Sequence, residues 1–347
     1  MRVLLKEAME IAQALLLATG APLPNARTQA THLLDAELRG HPSHGLLRLP
    51  RLLDRIARGL VDPRSQGQSF WNRSGELRVD GQRGLGPVVA FAAIDALLER
   101  VGDTGIAFAA IRNTNHLGML AGYVDAIARA GKIGIALSTS EALVHPFGGT
   151  KAMLGTNPIA IGLPTGREPF VLDLATSLVS MGKIHDHALR GAPLQPGWAL
   201  DADGLPTLDA ERAKSGSIAP FGEAKGYGLG LAFELLVASL VGSALAPQVR
   251  GTLDAEHVAN KGDLFIVIDP SQTPSTASGI TPYLDSLRSS PPADPAHPVS
   301  IPGDRGRARA RAAERDGFDI NPGLWSALND RLATSSKTAT SIQELQT

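Results

Sequence analysis

The sequence predicts an α/β or α+β core preceded by a helical N-terminal part. Two observations predict it. The first sixty residues place apolar side chains near helical spacing, and from residue 106 onward apolar runs of strand length alternate with helical stretches.

Met1–Gly20 sets Lys6, Glu7 and Glu10 among Leu5, Ile11 and Leu15–Leu17, the pattern of an amphipathic helix. Gly20–Pro24 breaks that pattern, and a second helix is expected over about Ala26–Arg39. A third begins near Ser43 and runs through Arg48, Leu52 and Ile56. Glu76–Val79 reads as a short strand and Pro87–Val101 as a helix rich in Ala and Leu. Then come a strand over Ile106–Ile111, a helix over Leu117–Ala130 and a strand over Ile133–Ser138. Pro158–Leu163 and Pro169–Leu172 are two strands joined by a glycine-containing turn. Ala224–Leu245 is a long helix interrupted by glycines, Leu264–Ile268 a strand, and Ser289–Pro298 a proline-rich loop. Arg305–Arg315 is a basic helix, Asn321–Arg331 closes the fold, and the Ser/Thr-rich tail from Thr334 is expected to be mobile.

Composition narrows the function. Across 347 residues, 33 Lys+Arg face 34 Asp+Glu, a formal net charge of −1, which argues against nucleic acid or an anionic membrane as partner. There is no cysteine, so disulfides, thiol nucleophiles, thiolate zinc sites and iron–sulfur clusters are excluded. Chemistry falls to His, Arg, Lys, Ser, Thr, Asp and Glu, or to a bound cofactor. The opening stretch is expected to be an amphipathic helix rather than a secretion signal. Leu235–Ala246, the longest apolar stretch, falls short of a membrane span, so a soluble cytoplasmic protein is expected.

Familiar nucleotide and metal motifs are missing. Gly84-Leu85-Gly86 lacks its third glycine, Val89 standing there, and Gly226-Tyr227-Gly228-Leu229-Gly230 lies inside a helical pattern. Gly131-Lys132 and Gly182-Lys183 are each followed by Ile, so no P-loop exists. His185-Asp186-His187 spaces its histidines at i and i+2, which converge only in a strand; it reads as a solvated loop, and no metal site is expected. No Gly-x-Ser-x-Gly elbow marks a serine hydrolase.

Five stretches carry chemistry instead. With Ser43 as a helix N-cap, His44 and Arg48 fall one turn apart on one face, an imidazole beside a guanidinium. That pair suits a carboxylate next to a carbonyl or hydroxyl: Arg48 grips the carboxylate and His44 exchanges the proton. An ordinary exposed helix start is the alternative. Asn113–Gly118 precedes a helix, where free backbone N–H groups suit a phosphate, unless His116 simply caps that helix. Gly155-Thr156-Asn157-Pro158 permits close backbone approach and offers two polar side chains. Thr176 reads as a cap after Asp173, and Lys225 opens a glycine-rich helix as a pyrophosphate contact or a solvated lysine.

In order and wording, SHGLLRLP at 43–50, NTNHLGMLAGY at 113–123, HPFGGTKAMLGTNPIAIGLPT at 145–165 and LDLATSLVSMGK at 172–183 resemble one family. PGWALDADGLPT at 196–207, EAKGYGLGLAFELL at 223–236, GDLFIVIDP and IPGD extend the likeness to about residues 5–330. This is the malate/L-lactate dehydrogenase family of NAD(P)-dependent oxidoreductases, which includes sulfolactate and ureidoglycolate dehydrogenases and piperideine-2-carboxylate reductase. The resemblance implies a mixed, non-Rossmann α/β subunit, usually a homodimer. Within it, residues 1–75 are the helical part packing with C-terminal helices of 300–333, residues 76–299 form the mixed-sheet cofactor and substrate core, and 334–347 are the tail.

By position, the resemblance makes Ser43 and His44 the catalytic pair, with His44 carrying the proton; some members assign that role to the histidine matching His116. Arg48 and Thr156 hold the substrate carboxylate, beside Gly182 and Lys183. His116, Leu117, Gly118, Met119 and Leu120, then Asp173, Leu174 and Ala175, Ala224 and Lys225, and Pro302, Gly303, Asp304 and Arg305 meet the cofactor. Lys183 stands where the imine-reducing branch resembles a carboxylate-bearing pattern, which favours a small 2-hydroxy acid over a cyclic imine or N-alkyl-amino acid; a ureidoglycolate-type substrate is a further alternative. Asp304 on a ribose would select NAD, and Arg305 and Arg307 on a 2′-phosphate would select NADP; NAD is favoured. Residues 247–260 and the proline-rich loop before Ile301 match no recognised pattern and are expected to bear on substrate choice.

Overall fold

The computed structural model of the protein describes residues 1–271 and 277–344. Apolar runs build a seven-stranded sheet, ordered Gln68–Arg73, Glu76–Asp80, Ile106–Arg112, Gly262–Ile268, Ile133–Ser138, Ile159–Leu163, Phe170–Leu174. Glu76–Asp80 and Ile106–Arg112 pair in parallel, joined by the helix Gly86–Thr104; every other neighbouring pair in the sheet is antiparallel. A single parallel pair offers no doubly wound crevice, which is why no glycine fingerprint follows a strand.

Helices cover both faces. In Gly86–Thr104, Val89, Ala93, Leu97 and Val101 recur every four residues and bury one stripe against Leu77, Ile111, Phe265 and Val267. On the opposite face Val237 and Val241 of the helix Ala224–Val241 pack on Ala110, Leu137 and Leu264. That helix runs 18 residues at mean hydropathy 1.4, long and apolar enough by composition to cross a membrane, with 28% of it buried. It extends well before the apolar stretch Leu235–Ala246, which alone is too short for a span. Buried Glu234 accepts hydrogen bonds from Asn157 Nδ2 (2.8 Å) and Ala246 N (2.6 Å), tying one face to the sheet side while Leu229, Leu235 and Leu236 stay exposed.

A second layer joins the chain's two ends. Helices Leu5–Ala18, Leu23–Leu38 and Leu49–Ala57 share a core with Ala313, Phe318, Ile320 and Leu328, and the strand Arg2–Val3 pairs with Phe318–Asp319. Among the elements without a sequence expectation are two that are larger than a single turn or bridge and reach the sheet edge or the surface. Gln68–Arg73 is largely exposed and polar, so it shows no apolar alternation, yet it joins the sheet edge. Ala277–Arg288 is a helix despite an internal Pro282. The last helix, Pro322–Glu344, runs through the segment expected as a mobile tail, of which 345–347 lie outside the described residues.

Candidate active-site cleft

Pro42 starts a tight 3-10 turn, Pro42–His44; a second, Leu46–Arg48, follows, and the helix begins at Leu49. This corrects the expected Ser43-capped helix. The break is Gly45, at φ −96° and ψ −142°, where a Cβ would lie 2.4 Å from Oε1 of Glu37. That carboxyl fills the vacant space and accepts the Leu46 N–H at 2.7 Å. Arg48 Nε donates to the Ser43 carbonyl at 2.7 Å, folding the guanidinium back beside His44. Ser43 Oγ lies 3.1 Å from His44 Nδ1, and the His44 and His116 rings stand 5.7 Å apart, tilted by 30°.

Burial pushes the Glu37 carboxyl up to about 7. The folded chain therefore holds a proton that the unfolded chain releases above its ordinary value of 4.5, so stability is full below that value and falls as pH rises towards 7. The shift corresponds to roughly 3 kcal/mol. Glu37→Gln keeps an acceptor for Leu46 and is expected to flatten the pH dependence of the denaturation midpoint across this window. An unchanged slope would remove Glu37 as its source.

These residues open onto a cleft of about 710 Å³, within the roughly 300–1,000 Å³ usual for small-molecule sites. Ser43, His44, Arg48, His116, Leu117, Gly118, Met119, Leu120, Thr156, Asp173, Leu174, Ala175, Gly182, Pro302, Gly303 and Arg305 all line it. The helix after His116 begins only at Ala121, whose N–H is taken by Asp173 Oδ2 at 2.7 Å. A carboxylate thus occupies the helix end expected to receive a phosphate. Asp173 is reached by solvent from the cleft but enclosed by protein behind, and that enclosure raises it to about 6. His116 Nδ1 accepts the Gly118 N–H at 3.0 Å, which leaves the proton of the neutral ring on Nε2.

Other expected residues lie elsewhere. Lys183 stays off the cleft lining and stacks its ammonium 4.4 Å above the Trp198 ring. Ala224 and Lys225 are exposed at a helix start outside the lining. Asp304 turns away, bonded to Arg288 (2.8 and 3.0 Å) and Arg307 (2.8 Å), so it is not free for a ribose. Arg307 is itself buried, donating to the Pro169 carbonyl. Asn157 is buried beneath the cleft rather than facing it, bonding Gly230 and Glu234. Thr176 caps no helix; it donates to the Thr156 carbonyl at 3.0 Å, and Ser180 caps the helix Met181–Leu189. His185 and His187 sit in that helix, not in a loop, and among the described residues no His/Asp/Glu group is placed to hold a metal.

The sequence reading missed Arg39, His41, Ser138, Thr139, Ser140, Lys261 and Arg309, which also line the cleft. Lys261 had a signal: it and Asp263 alternate onto one side of the chain and pair there, fully buried, with Ser138 Oγ on Asp263 at 2.6 Å. The unmatched segment 247–260 supplies Thr252 and Leu253 to the wall. Glu141 accepts both their N–H groups (2.8 and 2.9 Å), and Arg51 and Arg55 donate to carbonyls of Leu253 and Asp254.

A nicotinamide dinucleotide needs cations for its phosphates, apolar wall for its rings and close backbone approach. The lining supplies a wall rich in Arg and Lys, then Leu117, Met119, Leu120 and Ile301, then the Pro302-Gly303 turn, so these residues fit the group. Fold and cleft together describe an oxidoreductase built without a Rossmann domain. The family description malate/L-lactate dehydrogenase matches residues 3–329, and the chain belongs to that family: it is a dehydrogenase. L-sulfolactate dehydrogenase of Methanothermobacter thermautotrophicus is 34% identical over 93% of this chain and 94% of its own. The crystal structure of a dehydrogenase from Sinorhizobium meliloti superposes with TM-score 0.93 at 56% identity, covering 96% of this chain and 98% of that one. Sulfolactate dehydrogenase from Methanocaldococcus jannaschii superposes at 0.91 with 32% identity, over 97% and 98% of the two chains.

Proposed function

We propose that the protein interconverts a small 2-hydroxy acid of the malate, lactate or sulfolactate type and its 2-oxo acid, with NAD(P) as the hydride carrier. One observation carries the substrate class. Arg48 is enclosed enough to be pulled down to about 10, yet among the described residues no carboxylate pairs with it. Glu141, the acid whose field it feels, accepts from Thr252 and Leu253 instead. A guanidinium left without an anionic partner in a cleft is matched by a ligand carboxylate.

The bound dinucleotide supplies hydride exchange at its nicotinamide ring. Arg48, with Thr156 beside it, orients the carboxylate so that the reacting carbon faces that ring. Thr156 is itself held by its N–H on Ser140 Oγ at 2.9 Å. His44 takes the hydroxyl proton in oxidation when Nδ1–H donates to Ser43 Oγ and frees Nε2. His116, with Nε2–H, donates to the same substrate oxygen. Malate, lactate, sulfolactate and their 2-oxo acids, offered with both dinucleotides and followed by nicotinamide absorbance, test the reading. Turnover only when an amine accompanies the oxo acid would overturn it in favour of imine reduction.

A cytoplasmic homodimer belongs to the same proposal. It is supported by the unpartnered Leu229, Leu235 and Leu236 on the helix Ala224–Val241. Pairing through this face would set Lys225 at a subunit boundary. Light scattering is expected to give twice the 36.3 kDa subunit mass, reduced to one subunit by Leu235→Asp with Leu236→Asp; a wild-type monomer would sink it.

A further inference from the structure

We infer that the dinucleotide this protein selects carries a 2′-phosphate, held by Arg305 and Arg309; the inference rests on the dehydrogenase reading and deepens it. The cleft lining is strongly basic: among the described residues Arg39, Arg48, Lys261, Arg305 and Arg309 face a single acid, Asp173. Most of these charges are already committed. Lys261 is paired with Asp263, and Arg39 with Asp35 (2.7 Å) and Asp125 (3.5 Å). Arg48 belongs to the substrate end with His44, and Asp173 is spent on the Ala121 amide. Arg305 and Arg309 remain, with no ion pair among the described residues.

Their placement is built rather than incidental. Both lie on the helix Asp304–Asp316, four residues and so about one turn apart, which points them to one side. Arg309 rests against Gly40, where a Cβ would come 2.8 Å from Nη1, and Arg39 packs over Gly306. Gly40 thus lets the residue 39–41 turn and this helix approach closely enough for both to wall the cleft.

Selection also needs the opposing charge removed. A site that prefers the unphosphorylated dinucleotide presents an acid to the ribose hydroxyls, which repels a 2′-phosphate. Asp304 is the acid nearest in sequence, and its carboxylate is locked between Arg288 and Arg307, held down to about 2. The face beside Arg305 and Arg309 therefore carries uncompensated positive charge, the complement of a phosphate monoester.

Calorimetric binding of NADPH, NADH and 2′-AMP to the unmodified protein and to Arg305→Ala, Arg309→Ala and the double variant tests this without turnover. NADPH is expected to bind at least tenfold tighter than NADH at low salt, the gap narrowing as salt rises. Each single variant should weaken NADPH and 2′-AMP about tenfold and leave NADH within twofold, with Arg305→Lys recovering part of the loss. Both side chains are exposed, so folding is not at stake. Equal or tighter NADH binding overturns the inference while leaving the dehydrogenase reading intact. Losses of equal size for both dinucleotides also overturn it, assigning the arginines to the shared pyrophosphate. If neither dinucleotide binds, both readings fall together.

Discussion

Arg48→Ala is expected to lower kcat/KM for 2-hydroxy-acid oxidation by about 10²–10⁴, equivalent to roughly 3–5 kcal/mol, while dinucleotide binding stays within a few-fold. The size follows from what the guanidinium does. Its Nε is spent on the Ser43 carbonyl, so the remaining nitrogens face the cleft already oriented. Removing the side chain leaves the ligand carboxylate enclosed beside Leu253 and Thr252 with no charge partner, and also frees the Ser43–Arg48 turn. Arg48→Lys keeps the charge but loses the two-pronged geometry, and should recover only part of the rate. If Arg48→Ala oxidises every accepted acid near the wild-type rate, the carboxylate is held elsewhere and the substrate assignment falls.

The second large effect separates two histidines. His44→Ala should reduce kcat about 10³-fold, within the usual 10²–10⁴ for a positioned acid–base group, with little change in KM. His116→Ala should act more on KM, because Gly118 fixes Nδ1 as an acceptor and leaves Nε2–H as a donor that grips rather than removes a proton. Enclosure and neighbouring Arg48 hold His44 down to about 3, so it is neutral and able to accept a proton across the neutral range. The pH profile of kcat/KM should therefore lack a histidine inflection near 6.5, the ordinary value. The reverse pattern, with His116→Ala the kcat variant, would transfer the proton to His116.

Much of this site is written in local pattern, and the misses have physical reasons. Ser43, His44, Arg48, His116 and Thr156 stand in short stretches whose glycines and prolines mark turns, so their arrival at one cleft is legible. The geometry of the first stretch is not: helical spacing was assumed, and only the Glu37 carboxyl beneath Gly45, from a different helix, breaks it. Asp304 shows the same limit. Its sequence neighbours Arg305 and Arg307 look alike, yet one faces the cleft and the other pins Asp304 to Arg288, sixteen residues earlier. The resemblance puts Lys183 beside the substrate, yet its ammonium is drawn to Trp198, a tertiary contact no local pattern carries. The strand order, with Gly262–Ile268 between Ile106–Arg112 and Ile133–Ser138, is equally a matter of long-range pairing.

Contact between segments far apart in the sequence couples their stabilities. One wall of the cleft comes from residues 39–48 and another from 300–309, and the strand Arg2–Val3 is completed only by Phe318–Asp319. A ligand seated between those walls touches segments far apart in the sequence, and one that binds only this closed form raises the stability of both together by mass action.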